Sequence, residues 1–179
     1  MLQLSWFYRA FLRELYEREV RYLLVGGYAV RYYGYERETR DLDIWIPTES
    51  ANAAKVCALC RYLFELPDLP SEPFAADGRL VNLTLPPSHA RIQRPIMGAK
   101  PEVLAELVGG SMAVDILTIQ SGVDFESCYA ARVSTDVEGI PVNIVSLSHL
   151  RIIKSVTPER GKDRDDLEHL PGAARASTV

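Results

Sequence analysis

Asp41 and Asp43 stand one residue apart in the run Asp41-Leu42-Asp43-Ile44-Trp45-Ile46. In an extended strand, residues i and i+2 share a face, so both carboxylates project together while Leu42 and Ile44 turn toward a core. Like charges that close raise one another's pKa unless a cation lies between them. A divalent ion removes that cost, and Mg2+ (or Mn2+) favours oxygen ligands from paired carboxylates combined with substrate phosphates. Asp115, within Ala113-Val114-Asp115-Ile116-Leu117, adds a third carboxylate to an otherwise apolar run, where it is costly unless paired or bound to metal. Upstream, Gly26-Gly27 ends the apolar run Tyr22-Leu23-Leu24-Val25. Glycines admit a phosphate close to the backbone, and a following helix offers it free N–H groups and a positive dipole end. Each part has a plainer reading: a solvated acidic strand, an ordinary turn, an aspartate paired to an arginine. Together they predict a site that binds phosphate and metal.

These residues need elements to hold them. Apolar positions Leu4, Phe7, Phe11, Leu12 and Leu15 recur at helical spacing and predict an opening helix over 4–18. A buried strand over 21–25, a helix over 28–34 and the acidic strand 41–46 follow, the last stopped by Pro47. A helix is expected over 49–65, with Cys57 and Cys60 on its apolar side. Their spacing would suit a metal, but no second pair or nearby His completes a ligand set, so they read as small buried hydrophobes. Residues 66–100 read as loop with one strand at 79–85, and Pro101–Leu107 as a short helix. Strands at 112–118 and 140–145 precede a helix over 146–155, a charged break at 157–164 and a last helical turn at 165–170. Residues 1–170 read as a single domain, and 171–179 as a flexible tail. Tyr22, Tyr28, Tyr32, Tyr33 and Tyr35 suit core packing, an interface or base stacking equally. His89, His149 and His169 show no metal spacing, and the glycosylation sequon at Asn82 has no sign of secretion beside it.

Of 179 residues, 47% are hydrophobic and 25% charged, enough apolar surface for a packed core and too much for disorder along most of the chain. The formal net charge of -4 argues against a broadly cationic surface that wraps a duplex, although Arg151, Lys154, Arg160, Lys162 and Arg164 leave a local footprint open. Charges at Arg9, Arg13, Glu14, Glu17 and Arg18 interrupt the N-terminal run, so neither a signal peptide nor a membrane span is expected there. Three cysteines cannot all pair, which fits a reduced, cytoplasmic protein.

Residues 25–46, VGGYAVRYYGYERETRDLDIWI, resemble the hallmark of the nucleotidyltransferase superfamily: a glycine pair in a turn, about a dozen residues, Asp-x-Asp, and a third acid on a later strand. The form Gly-Gly…Gly-x-x-Arg-x-Thr-x-Asp-x-Asp is similar to the minimal bacterial enzymes and to the AbiEii/MenT-type toxins. The later segments around Asp115, around Lys154 and at Lys162-Asp163-x-x-Asp166-Leu167 are similar to an uncharacterised bacterial branch. Upstream of Lys154 stands Ser148-His149-Leu150, without the acidic residue usual in the toxin branch. The resemblance implies an α/β (α+β) fold, a small mixed β-sheet flanked by helices with a short C-terminal helical extension. It implies Asp41, Asp43 and Asp115 as metal ligands and catalytic acids, with Asp115 also taking a proton from the attacking hydroxyl. It implies Gly26 and Gly27 for the triphosphate, and Arg37, Thr39, Lys154 and Lys162 as further nucleotide contacts. The activity implied is transfer of a nucleoside monophosphate from an NTP to a hydroxyl acceptor on a small molecule, protein or RNA. A non-catalytic nucleotide-binding module and a tRNA-modifying toxin are the alternatives. An antitoxin or a second copy of the chain is the protein partner they leave open, and no membrane partner is expected.

Overall fold

The structure is a computed structural model that describes residues 2–85, 112–156 and 161–172. The helix expected at 101–107, the loop from 86 onward, the break at 157–160 and the tail beyond 172 lie outside the described residues.

Six strands form one open mixed sheet in the order β3-β4-β2-β1-β6-β5, with helices packed around it. Helix α1 (Trp6–Glu17) starts where the Ser5 hydroxyl accepts the Tyr8 N–H, and it buries Phe7, Phe11, Leu12 and Leu15 as one stripe. Strand β1 (Leu23–Leu24) is only two residues long and fully buried. Its neighbours are β2 (Asp41–Trp45), antiparallel, and β6 (Ile140–Ile144), parallel. Helix α2 (Gly26–Tyr32) begins two residues earlier than the expected start at Tyr28. The glycine pair is therefore its first turn, with Gly26 at φ +61° reversing the chain directly out of β1.

Helix α3 (Ser50–Leu63) buries Val56, Cys57, Leu59 and Cys60, and Cys57, Cys60 and Cys128 are all free and buried. Burial pushes the Cys57 and Cys60 thiols up from their ordinary value, so they behave as the small hydrophobes expected. Helix α4 (Glu72–Ala75) falls in a stretch read as loop. It is a single turn held by the fully buried ring of Phe74, too short for periodicity to show. Strand β3 (Leu80–Thr84) then runs antiparallel to β4 (Ala113–Leu117) at the sheet edge.

Two further elements lie where none was expected. Helix α5 (Phe125–Ala130) is capped by the Asp124 carboxylate, which accepts the Ser127 N–H at 2.9 Å. Strand β5 (Val133–Val137) is an edge strand with mostly polar, half-exposed positions. It is tied to β6 by a two-residue turn in which Glu138 and Gly139 both have positive φ. Helix α6 (Leu147–Val156) matches the expected helix. Helix α7 (Gly161–His169) is longer than the single turn expected. It buries Asp163 and Asp166 rather than an apolar stripe, so hydrophobic spacing does not reveal it. Among the described residues, no helix is long and apolar enough to cross a membrane.

Candidate functional site

The acidic face is set by strand register. β2 and β4 run parallel and adjacent, and Asp43 lies directly beside Asp115 while Asp41 lies beside Ala113. Leu42, Ile44, Val114 and Ile116 are fully buried, leaving the three aspartates on the opposite, half-buried face. Alternation thus puts every carboxylate of the two strands on one side of the sheet. The Tyr8 hydroxyl donates to the Arg40 carbonyl at 2.7 Å and to the Ala113 carbonyl at 3.1 Å, locking together the starts of both acidic strands. The sequence gives no hint of that contact, because an aromatic on a helix stripe reads simply as core.

Gly26 and Gly27 abut this face. Asp43 Oδ2 accepts the Gly27 N–H at 3.4 Å, and the entrance of α2 has no other side-chain cap. A Cβ on Gly26 would overlap the Asp43 carboxylate, and one on Gly27 would overlap Thr39 Oγ1. The glycine pair is thus required by the closeness of Asp43 and Thr39 to the backbone. Burial first, and then the Asp115 charge, push Asp43 from 3.8 up to about 6, against the opposing Gly27 N–H and Lys154. Asp115 is also raised, by burial and by Asp41, and its hydrogen bond from Asn82 Nδ2 at 2.5 Å opposes the rise.

Asp43 and Asp115 each accept a hydrogen bond from a different neighbour, Asp43 from the Gly27 N–H and Asp115 from Asn82 on β3. Among the described residues, no three His, Cys, Asp or Glu side chains are gathered closely enough to hold a metal ion. The donor set is nonetheless what a hard divalent cation takes: carboxylate oxygens on neighbouring strands, raised in pKa first by burial and then by neighbouring acids. The residues present fit such an ion in type and in the sheet face they share.

A cleft of about 260 Å³ joins distant parts of the chain. Gly26 and Asp43 line it together with Leu117, Ile119 and Gln120 from the end of β4, and with Lys154 and Asp163 from α6 and α7. Lys154 is buried, and its ammonium donates to Asp163 Oδ1 at 2.6 Å and pairs with Asp166 Oδ2 at 2.9 Å. Arg37 grips the same Asp166 with two nitrogens, at 2.5 and 2.9 Å. Burial alone would raise Asp166, which is fully enclosed, but Arg37 and Lys154 together hold it below the ordinary carboxylate range. Arg37 is thereby committed to an internal pair and to the Glu38 carbonyl. Thr39 packs against Gly27, and Lys162 is exposed on α7 outside the cleft lining. Its neighbour Asp163 is the residue of that segment which faces the cleft.

No family model and no curated protein sequence matches the chain. A solved structure does: the crystal structure of an antigenic nucleotidyltransferase-like protein from Paracoccidioides brasiliensis is similar at a TM-score of 0.49 and 16% identity. The similarity covers 89% of this chain and 71% of that one.

Of the tyrosine cluster, Tyr22 and Tyr28 are buried in the core and Tyr32, Tyr33 and Tyr35 are half-buried. Tyr8 and Tyr28 meet edge to face, Tyr33 donates to the Val145 carbonyl at 2.7 Å, and Tyr35 donates to Asp165 and stacks on His169. The polar residues missed by sequence reading are Asn82, Gln120 and Ser121. Asn82 was readable only as the partner of Asp115 across an antiparallel pair, which requires the register.

Proposed function

We propose that the chain is a metal-dependent nucleotidyltransferase that moves a nucleoside monophosphate from an NTP to a hydroxyl acceptor. The observation that carries this reading is the cleft in which Gly26, Asp43 and Lys154 meet, with Asp115 in register beside Asp43. In it a glycine corner, carboxylates and a buried ammonium face one small volume. Phosphate oxygens would accept from the N–H groups of Gly26 and Gly27 and from Lys154 Nζ. A divalent cation held by Asp41, Asp43 and Asp115 would supply neutralisation of the carboxylates and of the charge on the α-phosphate. Asp115 has one oxygen fixed by Asn82, which orients the other to take the acceptor's proton. The hydroxyl oxygen bonds to the α-phosphorus, the bond to the bridging oxygen breaks, and pyrophosphate leaves with that electron pair. Within this reading the Lys154–Asp163 pair supports likeness to the AbiEii/MenT-type branch, and an RNA acceptor is the corresponding substrate class.

Transfer of label from α-labelled NTPs to small-molecule, protein and tRNA acceptors tests the proposal in Mg2+ or Mn2+. The Asp41→Ala/Asp43→Ala variant should lose it entirely; equal transfer by that variant would refute the assignment. One observation favours a second reading, a nucleotide-binding module without turnover: Asp43 and Asp115 each already accept a hydrogen bond within the protein, from Gly27 and from Asn82. That module would gain thermal stability from an NTP and release no pyrophosphate.

A further inference from the structure

The cleft that holds Gly26 and Asp43 continues past the acids along β4. Leu117 stands two residues beyond Asp115 and so on the same face, roughly 7 Å further along the strand. Leu117, Ile119, Gln120 and Ser121 line the cleft there, and Ile153 lines it from α6. Ile119 is 48% exposed, a large aliphatic surface left open at the mouth of a polar cleft.

The loop bearing these residues is fastened at both ends. Thr118 is buried, and its hydroxyl accepts the Arg79 N–H at 2.8 Å and donates to the Ala76 carbonyl at 2.8 Å. Gly122, at φ +81°, lies so close to Val156 on α6 that a Cβ there would stand 2.7 Å from its methyl. Between these anchors, Gln120 is half-buried and lines the cleft, and among the described residues its side chain makes no hydrogen bond. A primary amide carries both a donor and an acceptor, the pair needed to read the polar edge of a flat heterocycle.

We infer that this loop is the nucleobase subsite, with Ile119 and Leu117 covering the ring face and Gln120 reading its edge. The inference rests on the nucleotide reading above and adds where the base lies and what selects it. A ligand with phosphates at Gly26 and Asp43 has its ring within reach of Gln120. Water-covered aliphatic surface at Ile119 is then buried by the ring. Gln120 is a specificity residue, since its loss leaves the phosphate end unchanged.

The test measures binding of the four NTPs and of inorganic tripolyphosphate, each with Mg2+, to the wild type, Gln120→Ala and Ile119→Ser. Both positions are partly exposed, so neither substitution opens the core. In the wild type, the preferred NTP should bind at least about tenfold tighter than tripolyphosphate. Gln120→Ala should bring the four NTPs within about threefold of one another, and Ile119→Ser should weaken all four by about tenfold. Neither should change tripolyphosphate affinity. If tripolyphosphate binds but the NTPs bind no tighter, or if the substitutions leave NTP affinities alone, the base subsite is overturned while the phosphate reading stands. Equal weakening of NTPs and tripolyphosphate also overturns it, as a general disturbance of the cleft. Failure of the wild type to bind any of the five ligands overturns both readings.

Discussion

At Gly27 the chain accepts no side chain, because Thr39 Cβ lies 2.7 Å from where a methyl would be and Thr39 Oγ1 is nearer still. Gly27→Ala should therefore destabilise, and most of that loss should return when Thr39 is cut to Gly. A double-mutant cycle read by urea denaturation should show coupling on the order of 1–2 kcal/mol; additive effects would mean that the crowding lies elsewhere. Asp43 supplies a second prediction, with a defined sign. Its carboxyl is raised from 3.8 to about 6, chiefly by burial and then by Asp115. Well below 3.8 it is protonated folded or unfolded and costs nothing. As pH rises through about 6 the folded state must carry a charge it resists, and the contribution to stability is lost. In chelator-treated protein, Asp43→Asn should thus be the more stable chain at pH 7–8, by on the order of 3 kcal/mol at most, with the difference fading toward pH 4. A pH-independent difference would show that the penalty is not ionisation.

Helix α7 is held mainly by charge. Its buried contacts run from Arg37 through Asp166 to Lys154 and Asp163, and Leu170 closes the end with apolar burial. Removing one member strands the others without solvent, and a broken buried pair costs about 3–5 kcal/mol. Asp166→Ala should lose about that much by denaturant unfolding, and amide exchange should rise first along 161–169. Protection of that segment equal to wild type would refute the clamp. The same element shows what a sequence can disclose. Strand β2 was legible because alternating Asp-Leu-Asp-Ile encodes its face directly, and the glycine corner because so few residues tolerate φ +61°. Helix α7 was legible only as a turn, because Asp163 and Asp166 look solvated until Lys154 and Arg37 are placed on them. Strand β5 hid for the opposite reason: an edge strand exposes its alternate positions, and Ser-Thr-Asp gives no apolar period. The acids of the site could be read one by one. That Asp43 and Asp115 are neighbours is a fact of parallel register, and no local pattern carries it.

Across the whole molecule, the cleft depends on contacts that are remote in sequence. β1 lies between β2 and β6, so residues 24, 44 and 144 meet in adjacent strands before α6 can bring Lys154 to the glycine corner. The charge balance follows the same geography. Acids crowd one sheet face while the buried cation opposite them is already paired to Asp163 and Asp166. A ligand that brings its own cation and phosphates relieves repulsion on the sheet and gives Lys154 a further partner, so it acts on both walls together. A nonhydrolysable NTP with Mg2+ should stabilise the chain by about 2.7 kcal/mol at a hundredfold excess over its Kd, or about 5–10 °C in Tm. Asp41→Ala/Asp43→Ala should abolish that shift. Because the two walls come from separate stretches of the chain, exchange protection should rise in 113–121, in 150–156 and in 161–169 at the same ligand concentration. Protection confined to the acidic strands would mean that the α6–α7 wall stands apart from the ligand, and Lys154 would then be part of the scaffold alone.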